Sequence, residues 1–362
     1  MIQKKSKLFI LLAILIIVSI ITYNLYMKNN YKDKVEYSIP ALREIEKNNL
    51  QELINGKEYS KTLDVALASG EYKNDYYKEY IEIEYFETKE FIKEINVFLD
   101  KKYTSDEINN IYKNFTMGNI GKLLNVDYLN LSDYFSIKNF DTDNYERYVN
   151  WDKDKNIPLE TVVTYVNIGL DKDFYTFYDE IKEIDSYTVL INKYHKLPDN
   201  YEPNDLVSLS YNNTYKLRHE AALNFEKLVV DAKENGHYIA PYSAYRTFKR
   251  QQELYTSYVN RDGKDIADTY SARAGYSEHQ SGLAVDITTI GNINELSPSD
   301  YKWVYENAYK YGFIIRYPED KTHITGYMYE RWHLRFVGIE IASDFVSKEI
   351  TYDEYYDLYL KK

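Results

Sequence analysis

The stretch GYSEHQSGLAVDIT, residues 275–288, begins polar and punctuated by glycine and ends as a short apolar run. The run LAVDITT is bounded by Gly282 on one side and polar residues on the other, and it is rich in β-formers, so it reads as a short buried strand. A carboxylate sits inside it at Asp286, where burial among Ala, Val and Ile costs several kcal/mol unless the charge is paired or metal-bound. His279, one of only 6 histidines in 362 residues, precedes it by seven positions. Gly282 between them allows the backbone to fold back, so that a loop histidine and a strand aspartate can meet.

Working outward, helix and strand signals alternate around this strand. HYIAPYSAYR (237–246) reads as a strand entering a loop, and TFKRQQELYTSYV (247–259) as a helix. FIIRYP (313–318) and RWHLRFVG (331–338) read as strands, and IEIASDFVSKEI (339–350) as a closing helix. YKLRHEAALNFEKLVVDAKENG (215–236) reads as a helix with Leu217, Ala221, Phe225, Leu228 and Ala232 on one face and Gly236 as its stop. PSDYKWVYENAYKYG (298–312) begins with proline and ends at Gly312, as a helix does. The pattern predicts an α+β domain over residues 186–362, with a small, largely antiparallel sheet flanked by helices.

Residues 31–185 differ in style, being polar with apolar residues recurring at three and four. SIPALREIEKNNLQELI (38–54) is amphipathic, and YTSDEINNIYKNF (103–115) carries Thr104 three residues before Glu107, a capping box. IPLETVVTYVNIGLD (157–171) and DFYTFYDEIKEI (173–184) continue in the same manner, which predicts an all-helical spacer or binding region. Residues 1–30 open with three lysines in MIQKKSK, followed by LFILLAILIIVSIITYNL (8–25) without a charge. As a helix that stretch spans about 27 Å, near the thickness of a bilayer's hydrocarbon core. The lysines place its front end in the cytoplasm and the rest of the chain outside. A cleaved signal peptide is the alternative, but TYNLYMKNN offers no A-x-A-like site.

Charged residues make up 28% of the chain and apolar ones 44%, enough for a packed core. The net charge of −12, with no basic stripe beyond the first residues, excludes a nucleic-acid partner. The 42 tyrosines supply bulk and apolar contact rather than a function. Cysteine is absent, which removes disulfides, thiolate ligands, a cysteine nucleophile and N-terminal lipidation. Any metal must therefore be held by His, Asp or Glu.

A hydrolytic zinc site takes three such ligands and keeps a fourth position open for water, with a further carboxylate nearby to accept the water's proton. The C-terminal region supplies the set in His279, Asp286 and His333 as ligands, with Glu330 three residues before His333. A lone strand histidine such as His333 is ordinarily a packing residue; the buried Asp286 tips the balance. His195, His219, His237 and His323 lie on linkers, helices or turns and read as surface or packing residues, and no H-E-x-x-H helix is present.

SEHQSGLAVD followed by YERWH, with SAYRTFKRQ upstream, resembles the VanY/DacB-type zinc D-alanyl-D-alanine carboxypeptidases, which trim peptidoglycan stem peptides. The similarity runs from about residue 189 onward and includes LPDNYEPNDLV, SARAGYSEHQSG and NAYKYGFIIRYP. The resemblance implies that His279, Asp286 and His333 bind zinc and that Glu330 is the general base. It gives Arg246 a role in contacting substrate and stabilising the oxyanion. It also gives Gln251 and Ser277 contacts to the peptide's terminal carboxylate or backbone, and Trp332 a place in the pocket wall. Ala244, Ala274 and Arg331 stand where the family often shows Gly, Pro and Pro; none removes a ligand or the base. The expected protein is a membrane-anchored, extracytoplasmic zinc carboxypeptidase acting on stem peptides. Its rivals are an L,D-carboxypeptidase on tetrapeptide stems and a non-catalytic zinc-bearing wall-binding module, a situation that hedgehog-type domains resemble.

Overall fold

A computed structural model describes residues 2–30, 36–54, 58–125, 127, 130–152, 157–176, 179–181, 183–210, 212–290 and 295–361. The chain divides into two compact units, Met1–Asp143 and Asn144–Lys362. The division falls earlier than the change of composition at residue 186. The helix Leu159–Asn167 belongs to the second unit, where Asn167 donates to Asp357 at 3.1 Å.

In the first unit a long helix, α1 (Ile2–Asn30), is followed by short helices among which Ile39–Lys47, Lys61–Ser69, Phe91–Asp100 and Ser105–Asn114 bury one apolar face each. Side-chain caps at Ser38, Ser60 and Thr104 fix where three of these helices begin. Thr104 accepts from the Glu107 backbone N–H at 3.2 Å while the Glu107 carboxylate accepts from Thr104 N at 2.8 Å, closing the expected capping box. In α1 the apolar side chains at 14–18, 20 and 21 are about half exposed.

The second unit is built on a four-stranded sheet of order β5-β6-β8-β7. In chain order its unit contains β1 (Asp179–Glu180), β2 (His195–Lys196), β3 (Leu206–Leu209), β4 (Asn212–Arg218), β5 (Ile239–Ser243), β6 (Ala284–Thr289), β7 (Phe313–Ile315) and β8 (His333–Phe336). Every pairing in the four-stranded sheet is antiparallel, as is the β3–β4 hairpin, whereas β1 and β2 pair in parallel. Helix α2 (His219–Glu234) packs across one face of the sheet and α3 (Phe248–Asp262) follows β5. Helix α4 (Pro298–Asn307) and the closing helix α5 (Ile339–Phe345) complete the frame, followed by a short turn, α6 (Tyr352–Tyr355).

The two-residue period of the strands separates core from site. Val285 and Ile287 of β6 and Leu334 and Phe336 of β8 join Phe225 and Leu228 of α2 and Phe313 of β7 in one buried cluster. Phe313 lies 5.9 Å from Phe225 and 5.2 Å from Phe336, ring centre to ring centre. The intervening residues Asp286, His333 and Arg335 project from the opposite face. They are directly registered, because Asp286 pairs with His333 and Ala284 with Arg335 in the β6–β8 ladder.

Two local expectations are corrected. Residues 215–218 are the end of β4 rather than the start of a helix, with α2 beginning at His219; Leu206↔Arg218 and Val207↔Leu217 pairing captures that segment for the hairpin. Among the described residues of 173–184 no helix forms and Asp179–Glu180 is β1, while 177, 178 and 182 lie outside the described residues. Tyr175 takes a left-handed φ of 64°, which no α-helix accommodates, and its ring packs with Phe174 around the Lys193 ammonium. His195, expected on a helix or linker, lies in β2.

Candidate active site and metal centre

His279 rides on a single helical turn, Glu278–Ser281, between α3 and β6. The turn is closed by Gly282, whose φ of +68° and 2.7 Å clearance from Leu206 Cδ2 exclude a side chain. From the other side the loop after β5 clasps it. Arg246 N donates to the His279 carbonyl at 3.1 Å, and His279 Nδ1 lies 2.7 Å from the Ala244 carbonyl. This contact commits Nδ1 and leaves Nε2 aimed at Asp286 Oδ2, 3.2 Å away.

Asp286 faces both imidazoles. Its Oδ1 lies 3.1 Å from His333 Nδ1, and the two rings meet edge to face at 5.0 Å. One ligand-capable atom from each of His279, Asp286 and His333 falls within 4.8 Å of the others, and all three residues are buried by their neighbours. Glu330 N donates to the Tyr317 carbonyl, which places the Glu330 Oε2 atom 3.7 Å from His333 Nδ1.

The electrostatics follow from enclosing these groups together. Burial pushes the Glu330 carboxyl up to about 8, with Asp286 adding to the rise against the pull of His333 and Arg246. Burial and the neighbouring Arg246 bring His279 down to about 4. Burial would lower His333 as well, but the hydrogen bonds to Asp286 and Glu278 outweigh it and raise the ring to about 9. For Asp286, burial acts upward, yet the two histidines hold its carboxyl well below the usual range.

These groups open onto a cleft of about 370 Å³ whose walls include Tyr242, Arg246, Gln251, Ser277, Met328 and Trp332. The Arg246 Nε atom and the Gln251 Oε1 atom are buried without a hydrogen-bond partner. Gln251 Nε2 donates one of its two N–H groups to the Ala272 carbonyl at 2.7 Å. Ser277 is buried at the cleft wall, and Trp332, 37% exposed, stands at its rim. The structure thus brings all eight sequence-selected residues to one cleft. The other histidines lie elsewhere: His237 Nδ1 pairs with Asp300 at 3.0 Å and its ring stacks on Trp303, while His323 is exposed.

Glu278, Arg316 and Arg335 escaped the sequence reading although they are among the most buried charges. Glu278 stands next to His279, and Arg335 shares the strand parity of His333, so the two-residue alternation of LRF carried the signal.

Comparison with known proteins identifies the family of the chain. The VanY family model, described as D-alanyl-D-alanine carboxypeptidase, matches residues 214–339. A Bacillus subtilis protein named as the carboxypeptidase YodJ is 39% identical over 202 residues, covering 50% of this chain and 74% of its own. The bifunctional D-Ala-D-Ala dipeptidase and carboxypeptidase VanXYC of Enterococcus gallinarum is 34% identical over 179 residues, covering 46% of this chain and 92% of its own. A variant of the vancomycin-resistance D,D-pentapeptidase VanY, solved in complex with Zn(II), is 36% identical over 47% of this chain and 98% of its own, with a TM-score of 0.43. With most of the length of both curated relatives matched at this identity, the chain belongs to the VanY family of D-alanyl-D-alanine carboxypeptidases.

Proposed function

We propose that this carboxypeptidase is a zinc enzyme that removes the C-terminal D-alanine from peptidoglycan stem peptides outside the cell membrane. The observation that carries the reading is the convergence of His279, Asp286 and His333 beside the buried Glu330. The donor set fits zinc: each imidazole has one nitrogen held by Ala244 O or Glu278, and turns the other to the same carboxylate. Two neutral nitrogens and one carboxylate leave a further position open on a four-coordinate ion.

When bound there, zinc polarises a carbonyl and lowers the pKa of water to about 7. The chain's own residues do the rest. Glu330 accepts the proton of the attacking water and returns it to the departing D-alanine amine. Arg246, whose Nε lacks a partner, supplies a fixed positive charge toward the developing oxyanion. Gln251 offers a free acceptor oxygen for a substrate backbone N–H and a second amide N–H for a carbonyl or the terminal carboxylate. Ser277 adds a hydroxyl in the cleft, and Trp332 shields its rim from water.

Residues 8–25 anchor the chain, with the lysines on the cytoplasmic side. The helical region 31–185 serves as spacer or binding region, and the catalytic domain at 186–362 meets its substrate outside the membrane. The stretch Leu12–Asn30 is long and apolar enough for a span, which supports this location.

The full chain with zinc is expected to release D-alanine from a synthetic stem pentapeptide and to stop on chelation. Release from the tetrapeptide instead would transfer the reading to L,D-cleavage, and release from neither would end it.

Zinc binding should also be steeply proton-linked. Because His333 is raised to about 9 in the metal-free site, it carries a proton at pH 7 that a metal must displace. Glu330, at about 8, gives up part of another as the cation arrives. His279, at about 4, contributes none. The apparent zinc affinity is therefore expected to rise about tenfold or more from pH 7 to 8 and to level off above about 9. Calorimetric titrations in buffers of different ionisation enthalpy count the protons; an affinity flat between pH 7 and 9 would contradict the assignment.

A further inference from the structure

Glu278 is 1% exposed, and both of its carboxylate oxygens are engaged. Oε1 accepts from Arg316 Nε at 2.7 Å and from Arg335 Nη1 at 2.8 Å. Oε2 lies 3.2 Å from His333 Nε2. The guanidiniums are fixed in turn. Arg335 Nη2 donates to the Val189 carbonyl at 2.6 Å, and Arg316 Nη1 donates to Asp353 Oδ2 at 2.7 Å. Asp353 Oδ1 accepts from Asn192 Nδ2, also at 2.7 Å. Two arginines and two carboxylates balance, so a fully buried cluster persists without net charge. Burial alone would raise the Glu278 carboxyl, but Arg316 and Arg335 hold it below the ordinary carboxylate range, as an acceptor.

An imidazole has two ring nitrogens, and the hydrogen bond made by one decides what the other offers. At His333, Nε2 faces Glu278 while Nδ1 faces Asp286. Turning the ring over would present carbon to both carboxylates, and Tyr317, 5.0 Å from the ring centre, packs against it. Asp286 faces Nδ1, the nitrogen that would itself bind the cation and so would carry no proton for Asp286 to accept. That leaves Glu278.

We infer that Glu278 is a positioning residue of the metal centre: it accepts the Nε2 proton of His333 and so holds the ring with a bare Nδ1 turned toward the cation. The inference rests on the zinc reading above. It assigns the direct contacts of Arg316 and Arg335 with Glu278 the task of keeping this carboxylate anionic and still.

The test measures zinc dissociation constants of the full chain in detergent by competition with a chromophoric chelator. Glu278→Gln is expected to weaken zinc about 10–100-fold, the usual consequence of removing a partner behind a histidine ligand. Asp353→Asn, which disturbs the same cluster from the far side of Arg316 without touching His333, is expected to lower the melting temperature and leave zinc affinity unchanged. Should Glu278→Gln fail to fold, Glu278→Asp keeps the charge while withdrawing the carboxylate by one methylene, and a similar loss of affinity is expected.

The wild-type chain supplies a readout that no folding defect affects. Histidine-selective ¹⁵N NMR of the zinc-loaded protein should show His333 protonated at Nε2. A folded Glu278 variant with wild-type zinc affinity, or a His333 protonated at Nδ1, overturns the inference while leaving the zinc reading intact. A wild-type chain that binds no zinc removes both.

Discussion

Replacing Glu330 by glutamine is expected to lower turnover of the zinc-loaded enzyme by about 10²–10⁴-fold, the usual worth of a positioned general acid–base, with metal content unchanged. The side chain keeps its shape, so the Tyr317 carbonyl still fixes the backbone at residue 330. What disappears is the proton acceptor. The other carboxylates lining the cleft cannot replace it, since Glu278 is held by two arginines and Asp286 by two histidines.

A second measurement separates chemistry from folding. In the metal-free wild type the folded Glu330 carboxyl, at about 8, lies above its ordinary value of 4.5, so its favourable contribution is complete below 4.5 and is lost as pH rises through 8. Glutamine cannot ionise, so this loss should be absent from the variant. Its metal-free form is expected to melt no lower than wild type at pH 9. Near-normal release of D-alanine by Glu330→Gln would remove Glu330 from the proton-transfer role.

Asp286→Asn is expected to abolish activity by a different route, through loss of the metal. Asp286 accepts from, or faces, both imidazoles at 3.1–3.2 Å and provides the anionic member of the donor set. The amide is neutral and directs an N–H₂ group toward one of the nitrogens that should carry a lone pair. Zinc affinity should fall by at least about 100-fold, beyond the range typical of outer-shell changes, so dialysed protein should contain almost no zinc. One zinc per chain after dialysis of a folded Asp286→Asn would refute the ligand assignment.

The strand LAVDIT, its neighbour RWHLRFVG and the turns closed by Gly282 and Gly312 were legible because each rests on local rules of periodicity and left-handed backbone. So was the gathering of His279, Asp286, His333 and Glu330. A carboxylate at the centre of an apolar strand demands a partner, and few histidines were available to provide one. The failures share a cause in long-range packing. The segment 173–184 has helical spacing, but β1 is set by pairing with β2, and Phe174 and Tyr175 serve the Lys193 ammonium instead of a helix face. Tyr215–Arg218 joins a hairpin because Leu206 and Val207 are its partners. Arg316 and Asp353 drew no reading, since their burial depends on one another and on Glu278.

The β6–β8 ladder sets Asp286 directly opposite His333, so two of the cation's three anchors are cross-strand neighbours. Sliding either strand by one residue would turn one anchor toward α2 and bring Val285 or Leu334 to the site instead. A misaligned strand pair would leave at most two of the three donors together, His279 and the residue on the strand that did not move. Because a ligand stabilises only the state that binds it, any cation held by these three residues would favour the aligned strands over the slipped ones.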